Sequence, residues 1–225
     1  AFEQIRNSIC YPKLNVKIAA THAGLTVGED GASHQSIEDI SLMRTLPNMT
    51  VIVPADGIET EKVIEFAAEY KGPCYIRLGR SSVPDLFSAD YKFELGKAVT
   101  VQEGTDVTII SFGAGVHWAL ETLANNPEIK ADLLDLRTLQ PMDWDAIYAS
   151  VKKTNKVIIL QEDTLFGGVA SDISAMIMEN CFEHLDAPVR RVGSLESAIP
   201  FMKTLEDQYL PKGRFEKELK ELLAY

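Results

Sequence analysis

Cysteine is scarce in this chain and positive charge is in deficit. Its three cysteines, Cys10, Cys74 and Cys181, are odd in number, far apart and show no C-x-x-C spacing. That excludes a disulfide framework or a cysteine zinc site and fits a reducing compartment, with each thiol acting as a small buried hydrophobe. Lysine and arginine number 22 against 33 acidic residues, a formal net charge of -11. Nonspecific phosphate-backbone binding needs clustered cations to displace counterions, so nucleic acid is not an expected partner. No apolar run approaches the ~20 residues that span a bilayer, so no membrane contact is expected. The opening AFEQIRNSIC lacks the basic start and apolar stretch of a signal peptide. The chain is therefore expected to be cytoplasmic, or to have lost its start. A full G-x-G-x-x-G is also missing: after Gly113 and Gly115 the third position is Trp118, which leaves a turn rather than a phosphate loop.

What is present is an ordinary globular composition, 46% hydrophobic and 24% charged over 225 residues, enough chain for two modest domains. Short β-branched runs alternate with longer amphipathic stretches, the pattern of mostly parallel sheets covered by helices. VKIAAT from Val16, MTVIVPA from Met49 and PCYIRL from Pro73 read as strands. Ser36 followed by Asp39 reads as the cap of one helix. Asp56 with Glu59 reads as a capping-box variant at the start of DGIETEKVIEFAAEY, with Val63, Ala67 and Tyr70 inward. The polar, irregular stretch around VPDLFSADYKFELG divides the chain into residues 1–84, a linker at 85–97 and residues 98–225. In the second part DVTIISF, ADLLDL and KVIILQE read as strands. VHWALETLAN, WDAIYASVKKT, VASDISAMIMENCF and the terminal GRFEKELKELLAY read as helices. The first unit opens on what reads as the last turns of a helix and offers three strands. A sheet usually has about five or six, so the unit is expected to be truncated at its amino end.

THAGLTVGEDGASHQ, from Thr21 to Gln35, follows the first strand directly. Open α/β sheets bind ligands beyond the carboxyl ends of their strands. His22 and His34 there have the chemistry to bind hydroxyls or move protons near neutral pH, and Asp30 to orient one of them. On spacing alone, three glycines with incidental imidazoles in a solvated loop are the simpler description. Arg77 and Arg80, at the end of the third strand, are open to an anionic ligand or to ion pairs with carboxylates. EDTLFGGVASDI fits either an anion-binding helix start or tight strand-to-helix packing. His117 and His184 fall on helical segments and read as structural.

Beyond spacing, THAGLTVGEDGASHQSIEDISLMRTLPNMTVIVPADGIE and then GPCYIRLGRSSVP resemble the pyrimidine-binding domain of transketolase. The first histidine, GEDG, His-Gln, PNM and the strand-end arginine come in that family's order. The resemblance implies ketol transfer between sugar phosphates with thiamine diphosphate and magnesium. His22 and His34 would be the catalytic pair, binding hydroxyls and aiding proton transfer, Asp30 would contact a sugar hydroxyl, and Arg80 would hold the substrate phosphate. The family's diphosphate-and-magnesium motif, GDG followed by an Asn, does not occur in this sequence, and no metal ligand is implied here. The glutamate that activates the aminopyrimidine and most of its aromatic pocket would lie upstream of Ala1, so no cofactor-binding residue is assigned. The second half, from GTDVTIISFGAGVHWALE to LEDQYLP, is more similar to the beta subunit of the 2-oxo acid dehydrogenase first component.

The implied fold is two three-layer α/β/α units: a truncated thiamine-diphosphate pyrimidine-binding domain and a transketolase C-terminal-like domain with a mostly parallel sheet. The implied partner is a diphosphate-binding domain or subunit, in a dimer formed through both domains, and the chain alone is expected to be inactive. A dehydrogenase beta subunit, or a catalytically silent interaction fragment, is the alternative.

Overall fold

The computed structural model describes residues 1–25, 32–200 and 202–225. It opens with helix α1 (Phe2–Ile5), which continues as a π-helical turn over Arg6–Cys10. Strands β1 (Lys17–Ala20), β2 (Thr50–Ile52) and β3 (Cys74–Arg77) then form a parallel sheet with β3 in the middle. The connections carry α2 (Asp39–Arg44) and α3 (Gly57–Glu69). As the capping pattern predicts, the Asp56 side chain accepts from Glu59 N at the start of α3, while Glu59 Oε2 accepts from Ala55 N at 2.8 Å. Helix α2 departs from expectation. It begins only at Asp39, the Glu38 side chain at its cap makes no capping bond but accepts from Ile37 N at 3.2 Å, and the Asp39 carboxylate turns inward to Tyr75 and Arg77. With its carboxylate bonded to Arg77 and Tyr75, Asp39 is not free to complete a capping box, a contribution of about 1 kcal/mol.

The second sheet is built from β4 (Val99–Gln102), β5 (Val107–Ser111), β6 (Ala131–Asp135), β8 (Val157–Thr164) and β9 (Arg190–Ser194), in the order β4-β6-β5-β8-β9. Only β4 runs antiparallel to its neighbour; every other pairing in this sheet is parallel. Strands β5 and β6 are buried at every residue, as parallel strands covered on both faces must be. Helices α4 (Ala114–Asn125), α5 (Trp144–Thr154), α6 (Val169–Cys181), α7 (Lys203–Tyr209) and α8 (Lys212–Leu223) complete the chain. Helix α8 buries Phe215, Leu219 and Leu222, one stripe at i, i+4 and i+7. Full burial of each such side chain contributes roughly 1.5–3 kcal/mol.

One strand crosses between the units. β7 (Thr138–Gln140) lies in the second half of the sequence yet pairs antiparallel with β2, giving the first sheet four strands in the order β1-β3-β2-β7. An apolar core runs across the same boundary, joining Ile40, Val51 and Tyr75 to Ile110, Leu136 and Leu139. A second, ionic contact lies beside it. Arg137 stacks on Tyr91 and Phe93, its Nη1 donates to Tyr91 Oη, and Tyr91 Oη donates to Glu59 Oε1. Glu59 is 0% exposed and Arg137 3%. Burial pushes the Glu59 carboxyl up, and burial together with Glu59 pushes Asp135 well above the usual carboxylate range. All three cysteines are free and buried, as expected, and burial raises the Cys74 thiol to about 11.

Candidate functional site

Three parallel strands end side by side, and the chain beyond each end turns around a common space. Past β1, Leu78 N donates to Ala20 O at 2.9 Å and Ala23 N to Leu78 O at 3.1 Å. The strand ladder thus continues outward and brings Thr21–Ala23 against Leu78–Gly79. Together with Val53–Gly57 beyond β2, these segments enclose a cavity of about 540 Å³. The second half supplies the rest of the wall: Gly113 and Ala114 at the β5–α4 turn, and Glu162 of β8. The volume suits a small organic ligand. Hydroxyls of Thr21, Ser81 and Ser82 and the carboxyl of Asp85 belong to lining residues, so the wall offers a polyhydroxylated ligand both donors and acceptors, while the Asp56 carboxylate is taken up by Glu59 N, Leu86 N and Phe87 N.

Beneath the cavity lies a buried charge cluster. Arg77, 6% exposed, donates from Nε to Asp39 Oδ2 and from Nη1 to Glu162 Oε2, both at 2.9 Å. Tyr75 Oη donates to the same Asp39 oxygen at 2.6 Å. Glu162 Oε1 accepts from Leu25 N at 3.0 Å. Gly24, at φ +87°, leaves the space this needs: a Cβ there would stand 2.3 Å from Glu162 Oε2. Asp163 is 2% exposed, and neither of its carboxyl oxygens has a hydrogen-bond partner among the described residues. Burial, then the nearby carboxyls, raise its pKa to about 8 against the pull of Arg77.

His22 is exposed, at φ +63°, with Nδ1 3.0 Å from Thr21 Oγ1. Its chain neighbours Thr21 and Ala23 line the cavity. Arg80 is exposed between Gly79 and Ser81, which also line it. The segments carrying these two residues therefore meet at one mouth. His34 is exposed with Nδ1 3.0 Å from Ser33 Oγ, and it stands at the other root of the loop rather than on the cavity wall. That root is pinned: Gln35 Nε2 donates to Leu25 O at 2.8 Å, and Ser36 O accepts from Gly24 N at 2.8 Å. Asp30 lies outside the described residues. Of the two arginines weighed at the end of β3, Arg77 is committed to buried carboxylates.

The remaining motifs resolve into packing. Gly113 takes φ +54°, and a Cβ on it would sit 2.9 Å from Val53 Cγ1, so GAG is a close crossing of chain segments. At the start of α6 a Cβ on Gly168 would sit 2.0 Å from Gln161 Nε2, and Gln161 Oε1 accepts from Ala170 N at 2.7 Å. That amide is thereby taken up by the protein itself. His117 Nε2 donates to Ala55 O at 2.7 Å, tying α4 to the β2 end, a structural role as expected. Sequence reading missed Glu162, Asp163 and the true task of Asp39. The available signal was the polar LQED following the apolar VII of β8, since charged groups inside a parallel strand need a partner or a purpose.

Among the described residues no group of three or more His, Cys, Asp or Glu side chains is placed to hold a metal ion. These donors do not fit a magnesium diphosphate. Among the same residues no helix is long and apolar enough to cross a membrane.

Residues 1–85 match the family described as transketolase, pyrimidine binding domain, and residues 96–214 the one described as transketolase, C-terminal domain. A putative transketolase C-terminal section from Methanocaldococcus jannaschii is 44% identical over 186 residues, covering 80% of this chain and 57% of that protein. The mitochondrial 2-oxoisovalerate dehydrogenase subunit beta of Dictyostelium discoideum is 36% identical over 192 residues, 82% of this chain and 51% of that protein. Both similarities extend across the two halves of the chain. A solved structure titled split gene transketolase, inactive beta4 tetramer, is 43% identical with a TM-score of 0.85, covering 100% of this chain and 71% of that one. The chain spans between half and three fifths of the length of these two curated relatives. With both domain families matched in order, the chain belongs to the transketolase family, a family of thiamine diphosphate-dependent enzymes.

Proposed function

We propose that this chain is the substrate-reading part of a transketolase that transfers a two-carbon ketol unit between sugar phosphates, together with a separate diphosphate-bearing domain or subunit. The observation that carries the reading is the meeting of the His22 and Arg80 segments at one cavity mouth beyond the ends of β1 and β3. Arg80 there binds the substrate phosphate as a charge-assisted donor. His22 and His34 bind hydroxyls and move protons, and Asp30 takes a sugar hydroxyl. Thiamine diphosphate and magnesium come with the partner, as does activity. A dimer through both domains, a cytoplasmic setting and a division at residues 1–84, 85–97 and 98–225 belong to the same proposal.

A 2-oxo acid dehydrogenase beta subunit is the second reading, favoured by the similarity to the Dictyostelium subunit. Reconstitution decides between them. The chain is mixed in turn with each kind of diphosphate-bearing partner, thiamine diphosphate and magnesium, then assayed for ketol transfer and for 2-oxo acid decarboxylation. Ketol transfer with the mixture and none with the chain alone is expected. Decarboxylation without ketol transfer sinks the proposal. Absence of both, with no cofactor binding by calorimetry, identifies a silent interaction fragment.

A further inference from the structure

We propose that Glu162, a residue of the carboxyl-terminal half, is a positioning residue for the substrate loop, holding one of its roots directly and the other through Arg77. The inference rests on the reading of Thr21–Gln35 as substrate-facing. It assigns the second half of the chain a part in that site.

The geometry is specific. One oxygen, Oε1, accepts from Leu25 N at 3.0 Å, where the chain departs into the loop. The other, Oε2, accepts from Arg77 Nη1 at 2.9 Å. Arg77 Nη2 in turn donates to Ser36 O at 3.3 Å, where the chain returns. The two roots are also joined directly, Gly24 N to Ser36 O at 2.8 Å. Arg77 is the last residue of β3, so the same carboxylate steadies the strand end from which Arg80 departs. Glu162 itself lines the cavity.

A scaffold alone does not need this arrangement. β8 is apolar from Val157 to Leu160 before its polar end, and a well-packed hydrophobic side chain in place of a buried ion pair is often neutral or stabilising. A buried carboxylate gives direction: it fixes a backbone N–H and a guanidinium at set angles, with bonds roughly twice as strong as neutral ones. Gly24 preserves the room for it, since any side chain there would meet the carboxylate. Two distant features, a glycine at left-handed φ and a carboxylate in a strand, serve one contact.

The test is Glu162→Gln, which keeps size and one acceptor but turns a donor toward Arg77. Amide hydrogen exchange on the whole chain should show the Leu25 amide and its neighbours exchanging about tenfold faster or more, the loss of a charge-assisted bond, with β5 and β6 amides unchanged. Gly24→Ala, which reaches the same carboxylate from the other side, should reproduce that local pattern. In the reconstituted enzyme, Glu162→Gln should raise KM for a phosphorylated ketose about tenfold or more and lower kcat less. Unchanged exchange at Leu25, acceleration spread equally over β5 and β6, or an unchanged KM each overturns the proposal. If the wild-type mixture shows no ketol transfer, the functional reading has failed, while the exchange measurement still decides whether Glu162 holds the loop.

Discussion

Asp163 makes the stability of this protein depend on pH in an unusual direction. In the cluster beneath the cavity one guanidinium, Arg77, faces the carboxyls of Asp39, Glu162 and Asp163. Among the described residues Asp163 has no hydrogen-bond partner, and burial with its acidic neighbours raises its pKa to about 8. An unfolded aspartate titrates near 3.9. Between those values the folded chain binds a proton that the unfolded chain has released, so stability falls as pH rises from about 4 and levels off above about 8. A gap of about four in pKa, at ~1.4 kcal/mol for each, corresponds to a contribution on the order of 5 kcal/mol lost across that window. Asp163→Asn carries no such proton. Urea unfolding followed by circular dichroism at pH 5, 7 and 9 should show variant and wild type similar at pH 5. At pH 9 the variant should be the more stable by several kcal/mol. A difference between the two that stays constant from pH 5 to 9 refutes the reasoning.

Three further outcomes are expected. Gly24→Ala places a methyl at φ +87° against the Glu162 carboxylate and should cost about 3–5 kcal/mol, strain plus a displaced charge-assisted bond. Gly167→Ala, at φ +72° with nothing within 4 Å, should cost only the strain of about 1–2 kcal/mol; equal urea midpoints for the two variants count against the Glu162 contact. Arg137→Ala leaves Glu59 and Asp135 buried without their cation and should destabilise by about 3–5 kcal/mol, with a smaller loss as pH falls and these raised carboxyls take up protons; a loss under about 1 kcal/mol, or one that grows as pH falls, contradicts this. Arg80→Ala in the reconstituted enzyme should weaken phosphorylated sugars by about 1.5–3 kcal/mol and spare their dephosphorylated analogues, whereas equal losses on both argue against a phosphate contact.

Legibility in the sequence followed from how each element is stabilised. β2, β3, β5, β6 and the first part of β8 are buried runs, and their apolar residues declare them. α3 announces its own start through Asp56, and α8 its buried face through Phe215, Leu219 and Leu222. β4 and β9 escape notice because they are edge strands with half-exposed residues, formed by pairing with β6 and β8 rather than by a pattern of their own. β7, three residues long, exists only because β2 offers it an open edge, and it turns an apparently thin sheet into one of four strands.

The site divides in the same way. The first histidine, GEDG, His-Gln, PNM and the strand-end arginine, in that order within a longer matching stretch, carry the resemblance to a family. The sequence by itself thus determined the α/β class and most strands and helices, because these depend on local periodicity, while the residues expected to face a substrate came from the resemblance to a family. Tertiary structure alone decided that β7 completes the first sheet, that Arg77 is spent on buried carboxylates, and that Glu162 meets Leu25 from 137 positions away. Hydrogen bonds and ion pairs act over a few ångströms, and chain separation says nothing of which groups folding brings that close.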